Sequence, residues 1–136
     1  MKKLLSIILI FIIIIYISIK DSQTEFKKLP KGSNLKKFNS VNWKNDDSIN
    51  PDDNLISDRE KMLHDLVNNI LPNKSKEEIE KILGLSLNTP YFKSSNKDLI
   101  YYLGPERDHM MNIDSEWLLI WLDKSNKFET YKIVND

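Results

Sequence analysis

The stretch from Leu4 to Ile19, LLSIILIFIIIIYISI, constrains this chain most, because it contains no charged residue, glycine or proline. Inside a bilayer such a stretch must be a helix, since only internal hydrogen bonds satisfy its backbone there. At 1.5 Å per residue the helix would be roughly 24 Å long, against a hydrocarbon core of about 30 Å. The flanking lysines can reach the interface and make up the difference. We therefore predict a transmembrane helix in residues 1–20 that attaches the chain to the membrane.

A cleaved signal peptide is the alternative interpretation of the same segment. Cleavage requires small residues just after the apolar run, and the sequence there reads YISIKDS, with bulky or charged residues in the way. The chain has no cysteine, which excludes a lipid-modified cysteine, a disulfide framework and a thiolate metal site. We favour an uncleaved signal-anchor. If the segment is removed, the expectation becomes a secreted, inhibitor-like binding protein.

Residues 21–56 show no periodic pattern and are predicted to be a flexible tether, basic at first and then acidic. Pro30, Gly32 and the run NDDSINPDDN are typical of such a segment. Phe38, Val41 and Trp43 are exceptions, which either dock on the folded domain or lie at the membrane surface. Residues 57–136 carry 14 acidic and 11 basic side chains. This balance argues against a nucleic-acid partner, which would require clustered lysine or arginine.

Two short helices are predicted after the tether, each beginning with the same S-x-x-E pattern. Ser57 and Glu60 form one capping box and Ser75 and Glu78 form the second, in which serine and glutamate satisfy each other's free amides. Apolar residues follow each box at helical spacing: Met62, Leu63, Leu66, Val67 and Ile70, then Ile79, Ile82 and Leu83. Pro72 ends the first helix, and Gly84 supplies a left-handed stop for the second.

The period changes to two beyond Gly84, which predicts three strands at residues 99–103, 117–122 and 128–134. Asp123 to Lys127 reads as a hairpin turn with Asn126 at positive φ. Leu118, Ile120 and Leu122 point to one face, and the residues between them to the other. The predicted domain, residues 57–136, is α+β: two short helices packed on a three-stranded antiparallel meander.

The order of these elements resembles small bacterial envelope proteins of the BamE/SmpA type, whose fold is shared with β-lactamase-inhibitor proteins. The resemblance is carried by KSKEEIEKILG, by the Tyr-x-Leu-Gly of residues 101–104, and by a hairpin ending in a charged turn. It implies a domain that binds another protein and performs no catalysis. Most members carry a lipidated cysteine, and here the apolar N-terminal segment would replace it.

Two sequence patterns indicate which side of the membrane the C-terminal domain occupies, and they point in opposite directions. A short basic start before an apolar run is typical of export, whereas the lysines between Lys20 and Lys44 favour a cytoplasmic domain by the positive-inside rule. Partly on the BamE/SmpA resemblance, we expect a single-pass protein with its C-terminal domain on the extracytoplasmic side. An unidentified envelope protein is the predicted partner.

Catalytic and metal-binding patterns are sparse in this sequence. His64 follows Glu60 by one helical turn, but position 64 lies off the apolar stripe, which is typical of a solvent-facing residue. His109 is 45 positions away, and neither HExxH nor a Gly-rich phosphate loop is present. A small metal-dependent or hydrolytic enzyme using His64 and the 104–116 loop is the alternative function. We predict no catalytic residue, metal, cofactor or small-molecule substrate.

The loop at residues 104–116 is expected to be solvated, which would leave the carboxylates of Glu106, Asp108, Asp114 and Glu116 with ordinary pKa values, and Arg107 could hold an anion there. The aromatic residues of the strands are more informative. They are either core or an exposed strip of the kind that anchors protein partners. The candidate protein-binding residues are Tyr101, Glu106, Arg107, Trp117, Trp121 and Tyr131.

Overall fold

The computed structural model describes residues 28–32, 35–107 and 114–136. Three short α-helices precede three strands: α1 (Ser40–Lys44), α2 (Asp58–Asp65), α3 (Lys76–Leu83), β1 (Leu99–Pro105), β2 (Ser115–Leu122) and β3 (Phe128–Asn135). The strands form one antiparallel sheet in the order β1-β2-β3. The predicted α+β class and the three-stranded meander are confirmed, with three helices in place of two.

The predicted transmembrane helix lies outside the described residues. Within the part of the chain that the structure describes, no helix is both long enough and apolar enough to cross a bilayer.

Helix α2 begins with the predicted capping box. Ser57 Oγ accepts a hydrogen bond from the Glu60 amide at 3.1 Å, and the Glu60 carboxylate accepts one from the Ser57 amide at 2.6 Å. The apolar stripe is buried at Met62, Leu63, Leu66 and Val67. A π-helical turn, Leu66–Ile70, continues helix α2 and ends just before Pro72. This stripe is the helical half of the hydrophobic core.

Helix α3 repeats the pattern at the surface. The Glu78 carboxylate accepts from the Ser75 amide at 2.8 Å, and Ser75 Oγ accepts from the Glu78 amide at 3.3 Å. Ile79 is buried against the sheet. Gly84 ends the helix as predicted, but its φ of 87° and ψ of 172° lie outside the left-handed helical region, in extended backbone at positive φ where a side chain would be strained.

Residues 35–56, assigned by composition to the tether, pack on the domain instead. Helix α1 is capped by Asn39, whose side chain accepts from the Asn42 amide at 2.9 Å. Trp43 is 0% exposed and lies in the main core, with the Phe38 ring 6.0 Å away. Burying an indole removes a large apolar area from water, which outweighs the polar composition around it. The folded unit therefore begins by residue 35 and not at Ser57.

The sheet follows the predicted alternation. Leu118 and Ile120 are fully buried against the helices, whereas Trp117 and Leu119 belong to a second cluster on the opposite, outer face. The predicted hairpin turn is present, with the Asp123 amide donating to the Lys127 carbonyl at 2.7 Å and Asn126 at φ 62°. Each face of this small sheet therefore has its own apolar cluster, and the helices cover only one of the two faces.

Candidate functional site

The six candidate protein-binding residues do not form one surface. Two tyrosines lie on the helix-facing side of the sheet: Tyr101 is buried, and Tyr131 packs against the same core. The Tyr101 hydroxyl donates to the Gly84 carbonyl at 3.0 Å, and burial raises the pKa of its phenol. The two tryptophans lie on the outer face: Trp117 is buried and Trp121 is half-buried. Glu106 and Arg107 belong to neither face and lie at the end of β1.

The start of the 104–116 loop is buried, contrary to the expectation of a solvated loop. Glu106 and Arg107 are almost fully enclosed, and Glu116 on β2 is 0% exposed. Arg107 Nε donates to Glu116 Oε1 at 2.8 Å, and Arg107 Nη2 lies 2.6 Å from the same oxygen. Asn135 Nδ2 donates to Glu106 Oε1. Asp114 is exposed, and Asp108 and His109 lie outside the described residues.

Glu60 from α2 completes this buried charged cluster, which we define as Glu60, Arg107 and Glu116. Its Oε1 lies 3.9 Å from Arg107 Nε and is buried without a hydrogen bond. Burial, reinforced by the negative charge of Glu116, raises the pKa of Glu60 to about 8. When Glu60 holds a proton, these three side chains together carry no net charge. The arrangement therefore favours the protonated form of Glu60 near neutral pH.

Sequence patterns contained part of the evidence for this cluster. Glu116 continues the inward alternation of Leu118 and Ile120, so its side chain had to face the helices. Glu60 was recognised as a capping residue and as a neighbour of His64, but not as a partner of Arg107, because nothing in the local pattern shows that α2 lies against the end of β1. The cluster is thus a product of tertiary packing.

The outer face of the sheet is covered by the connection between α3 and β1. We name residues 87–98 the strap. The Leu87 amide donates to the Ile100 carbonyl at 3.1 Å, and the Trp121 indole donates to the Ser95 carbonyl at 3.1 Å. Between these two points, the Tyr91 ring lies 5.6 Å from the Trp117 ring. The strap therefore crosses the outer aromatic residues and is held at both ends.

The backbone of the strap is locally strained. Phe92 has φ of 57° and Asn96 has φ of 53°, a region that bulky side chains such as phenylalanine rarely adopt. Phe92 is half-buried against the outer cluster, and Lys97 Nζ donates to the Tyr91 carbonyl at 2.7 Å. These contacts hold the Tyr91–Phe92 pair in its conformation.

Exposed apolar side chains are concentrated just before the strap and in its first residues. Of the large hydrophobic residues exposed in the described part of the chain, three fall between positions 85 and 91: Leu85, Leu87 and Tyr91. Sequence reasoning missed them, because they belong to neither a helical stripe nor a strand alternation. The apolar pairs Leu85-x-Leu87 and Tyr91-Phe92, standing among polar residues, were the available indication.

His64 and Glu60 do not share a site. His64 is exposed and lines a surface pocket of about 290 Å³ with Leu35, Lys36, Lys37, Asp65 and Asn69. Glu60 lies in the buried charged cluster. Within residues 28–32, 35–107 and 114–136, no group of three or more acidic or histidine side chains is placed to hold a metal ion.

Comparisons of this chain with protein-family models, with curated proteins and with solved structures find no match. The interpretation of function therefore depends on the surfaces described above.

Proposed function

We propose that this protein is a non-enzymatic, membrane-tethered interaction module that binds another envelope protein on the extracytoplasmic side, in envelope assembly or maintenance. The proposed binding surface is the strap together with the accessible part of Trp121. The membrane tether is the apolar segment from Leu4 to Ile19. The resemblance to BamE/SmpA-type proteins points to the same class of function.

One observation carries the proposal: the exposed apolar side chains of Leu87 and Tyr91 lie beside the aromatic outer face. Each of these two side chains is 48% exposed. Tyr91 is in contact with Trp117 beneath it, so it is held in place without being covered. Ordered aromatic residues that remain accessible are typical anchors of protein interfaces, because little conformational entropy is lost on binding. Lys132 Nζ lies 5.7 Å from the centre of the Trp121 ring and gives this surface a polar rim.

Partner recovery tests the proposal. The full chain is purified from detergent-solubilised native membranes, as wild type and as the double variant Leu87→Ser, Tyr91→Ser. We expect a specific protein to be recovered with the wild type and to be lost by roughly tenfold or more in the double variant, since two central contacts are removed. Leu35→Ser is the matched control, because Leu35 is also exposed but lies beside α2.

Thermal unfolding of all three proteins checks that the variants fold. A partner recovered equally with wild type and the double variant would remove the strap from the proposal. Orientation is measured separately, with a reporter fused after Asp136 that is active on only one side of the membrane. Activity on the cytoplasmic side would contradict the extracytoplasmic assignment.

A further inference from the structure

Two apolar side chains on the helix side of the domain remain almost fully in water. Val41 is 76% exposed and Leu85 is 82% exposed, the highest values among the large hydrophobic residues of the described chain. Val41 precedes Lys44 by three residues on α1, which places both on one side of the helix. A Cβ atom at Gly84, next to Leu85, would lie 3.9 Å from Lys44 Cγ. Val41 therefore shares a helix side with Lys44, and Leu85 directly follows the glycine that Lys44 approaches.

This surface is built by direct contacts between α1 and α3. Lys44 Nζ donates to the Lys81 carbonyl at 3.3 Å, and Ser40 Oγ donates to the Ile82 carbonyl at 2.7 Å. Trp43, buried beneath, fixes α1 on the core. We define the basic apolar surface as Val41, Lys44, Lys81 and Leu85.

The segment that leads into the basic apolar surface is rich in lysine. Residues 28–44 contain five lysines and no acidic residue: Lys28, Lys31, Lys36, Lys37 and Lys44. Two of them pair with acids of α2: Lys36 Nζ lies 2.7 Å from Asp58 and Lys37 Nζ lies 3.2 Å from Asp65, while the Lys37 side chain stays 89% exposed. The nearest acidic residue after α1 is Asp46, which interacts with Arg59. Burial lowers the pKa of Arg59, and the negative charge of Asp46 partly offsets this effect. Exposed apolar side chains surrounded by lysines are the composition that binds anionic membrane surfaces.

We propose that the basic apolar surface rests on an anionic lipid bilayer, with Val41 and Leu85 in the headgroup region and the lysines against lipid phosphates and carboxylates. This inference rests on the membrane tether of the proposed function. The chain is already held at Lys28, whose carbonyl accepts a hydrogen bond from Arg107 Nη2 at 3.0 Å. The nine peptide units between Ile19 and Lys28 can span roughly 30 Å, which keeps the domain close enough to the bilayer for this contact. Because α1 packs on the helix side of the sheet, the contact leaves Tyr91 on the outer face free for a partner.

Site-specific fluorescence tests this orientation, and the natural absence of cysteine makes labelling simple. Single-cysteine variants Val41→Cys, Leu85→Cys and Ser125→Cys of the full chain are labelled with a polarity-sensitive dye. Each is reconstituted into vesicles of phosphatidylcholine, or of phosphatidylcholine with phosphatidylserine. Ser125 is the reference, because it lies in the exposed β2–β3 turn. Flotation of the vesicles reports whether the chain is attached at all.

We expect dye emission at positions 41 and 85 to shift to the blue and to rise by roughly a factor of two or more in anionic vesicles, as the dye leaves water. Position 125 should not change. Lys44→Glu with Lys81→Glu should reverse the shift, since each lysine near an anionic surface contributes about a fivefold preference.

Three results would overturn the proposal: no shift at positions 41 and 85, the same shift in neutral vesicles, or an equal shift at position 125. A shift that depends on protein concentration in neutral vesicles would instead make this surface a contact between two copies of the chain, which also overturns it. The vesicles contain lipid only, so a failure here leaves the partner-recovery test untouched. Failure to float would contradict the tether itself.

Discussion

The two S-x-x-E capping boxes have nearly the same local geometry and very different surroundings. Ser57 and Ser75 have φ, ψ of −75°, 160° and −73°, 166°, and both boxes make the same two reciprocal hydrogen bonds. Ser57 and Glu60 are 0% exposed, whereas the second box lies at the surface. Local chemistry starts a helix in both places. Only in the first box has packing turned the capping glutamate into a member of a buried charged cluster.

The largest effect should come from removing Arg107, the cation of the buried charged cluster that includes Glu60 of the first box. Arg107→Leu leaves the buried Glu116 carboxylate without its cation, beside the protonated Glu60, and we expect the free energy of unfolding to fall by about 3–5 kcal/mol. Urea denaturation at neutral pH measures it. Lys36→Leu is the matched control, because its 2.7 Å pair with Asp58 is largely exposed and should contribute about 0–1 kcal/mol. Similar losses in the two variants would show that the cluster is not effectively buried.

The second-largest loss of stability should come from Ser57→Ala. Ser57 Oγ also donates to the Leu103 carbonyl at 2.6 Å, so the substitution removes a cap and leaves a buried carbonyl without its donor. We expect a loss of about 2–3 kcal/mol, which combines a capping contribution with the desolvation of the carbonyl. Thermal and urea unfolding should agree on the loss. A loss no larger than that of Ser75→Ala would mean that the Leu103 contact adds nothing to the cap.

The pH dependence of stability should distinguish the buried Glu60 from the exposed Glu78. A carboxyl whose pKa is raised from 4.5 to about 8 on folding gives stability that is complete below pH 4.5 and is lost as pH rises through 8. We expect the free energy of unfolding to fall by about 1 kcal/mol for each pH unit in this window. Glu60→Gln should abolish that slope, and Glu78→Gln should retain it. A wild-type slope that survives in Glu60→Gln would assign the titration to another group.

Ser75→Ala should have the smallest effect. Water can replace the lost Ser75 hydroxyl at this exposed helix start, so we expect a loss of about 0.5–1 kcal/mol. The variant is measured by urea denaturation beside Ser57→Ala under the same conditions. A loss above 2 kcal/mol would indicate that α3 depends on its cap far more than its exposure implies.

Much of the secondary structure could be predicted because its causes are local. Both helix starts, the stop at Gly84 and the turn at Asn126 follow from side-chain hydrogen bonds and allowed backbone angles within a few residues. The alternation of Leu118, Ile120 and Leu122 likewise separated the two faces of β2, and the structure shows that this set faces the helices. These features depend only on the spacing of residue types along the chain, which can be read from a single sequence.

The candidate sites were less predictable because their causes are distant in sequence. Trp43 docks on a core formed by residues that follow it, in a segment whose composition resembles a tether. The strap owes its position to Trp117 and Trp121. No local pattern in residues 87–98 encodes that contact.

By itself, the sequence determined where α2 and α3 begin, where α3 ends and where the turn between β2 and β3 lies, and it determined that the chain carries an apolar segment with no cysteine beside it. Tertiary structure alone decided that Glu60, Arg107 and Glu116 meet out of water, and that Val41 and Leu85 stay exposed around Lys44. The physical reason is that hydrogen bonds and steric limits act between near neighbours in sequence. Desolvation depends on every element that packs nearby, and so it is settled only when the whole chain has folded.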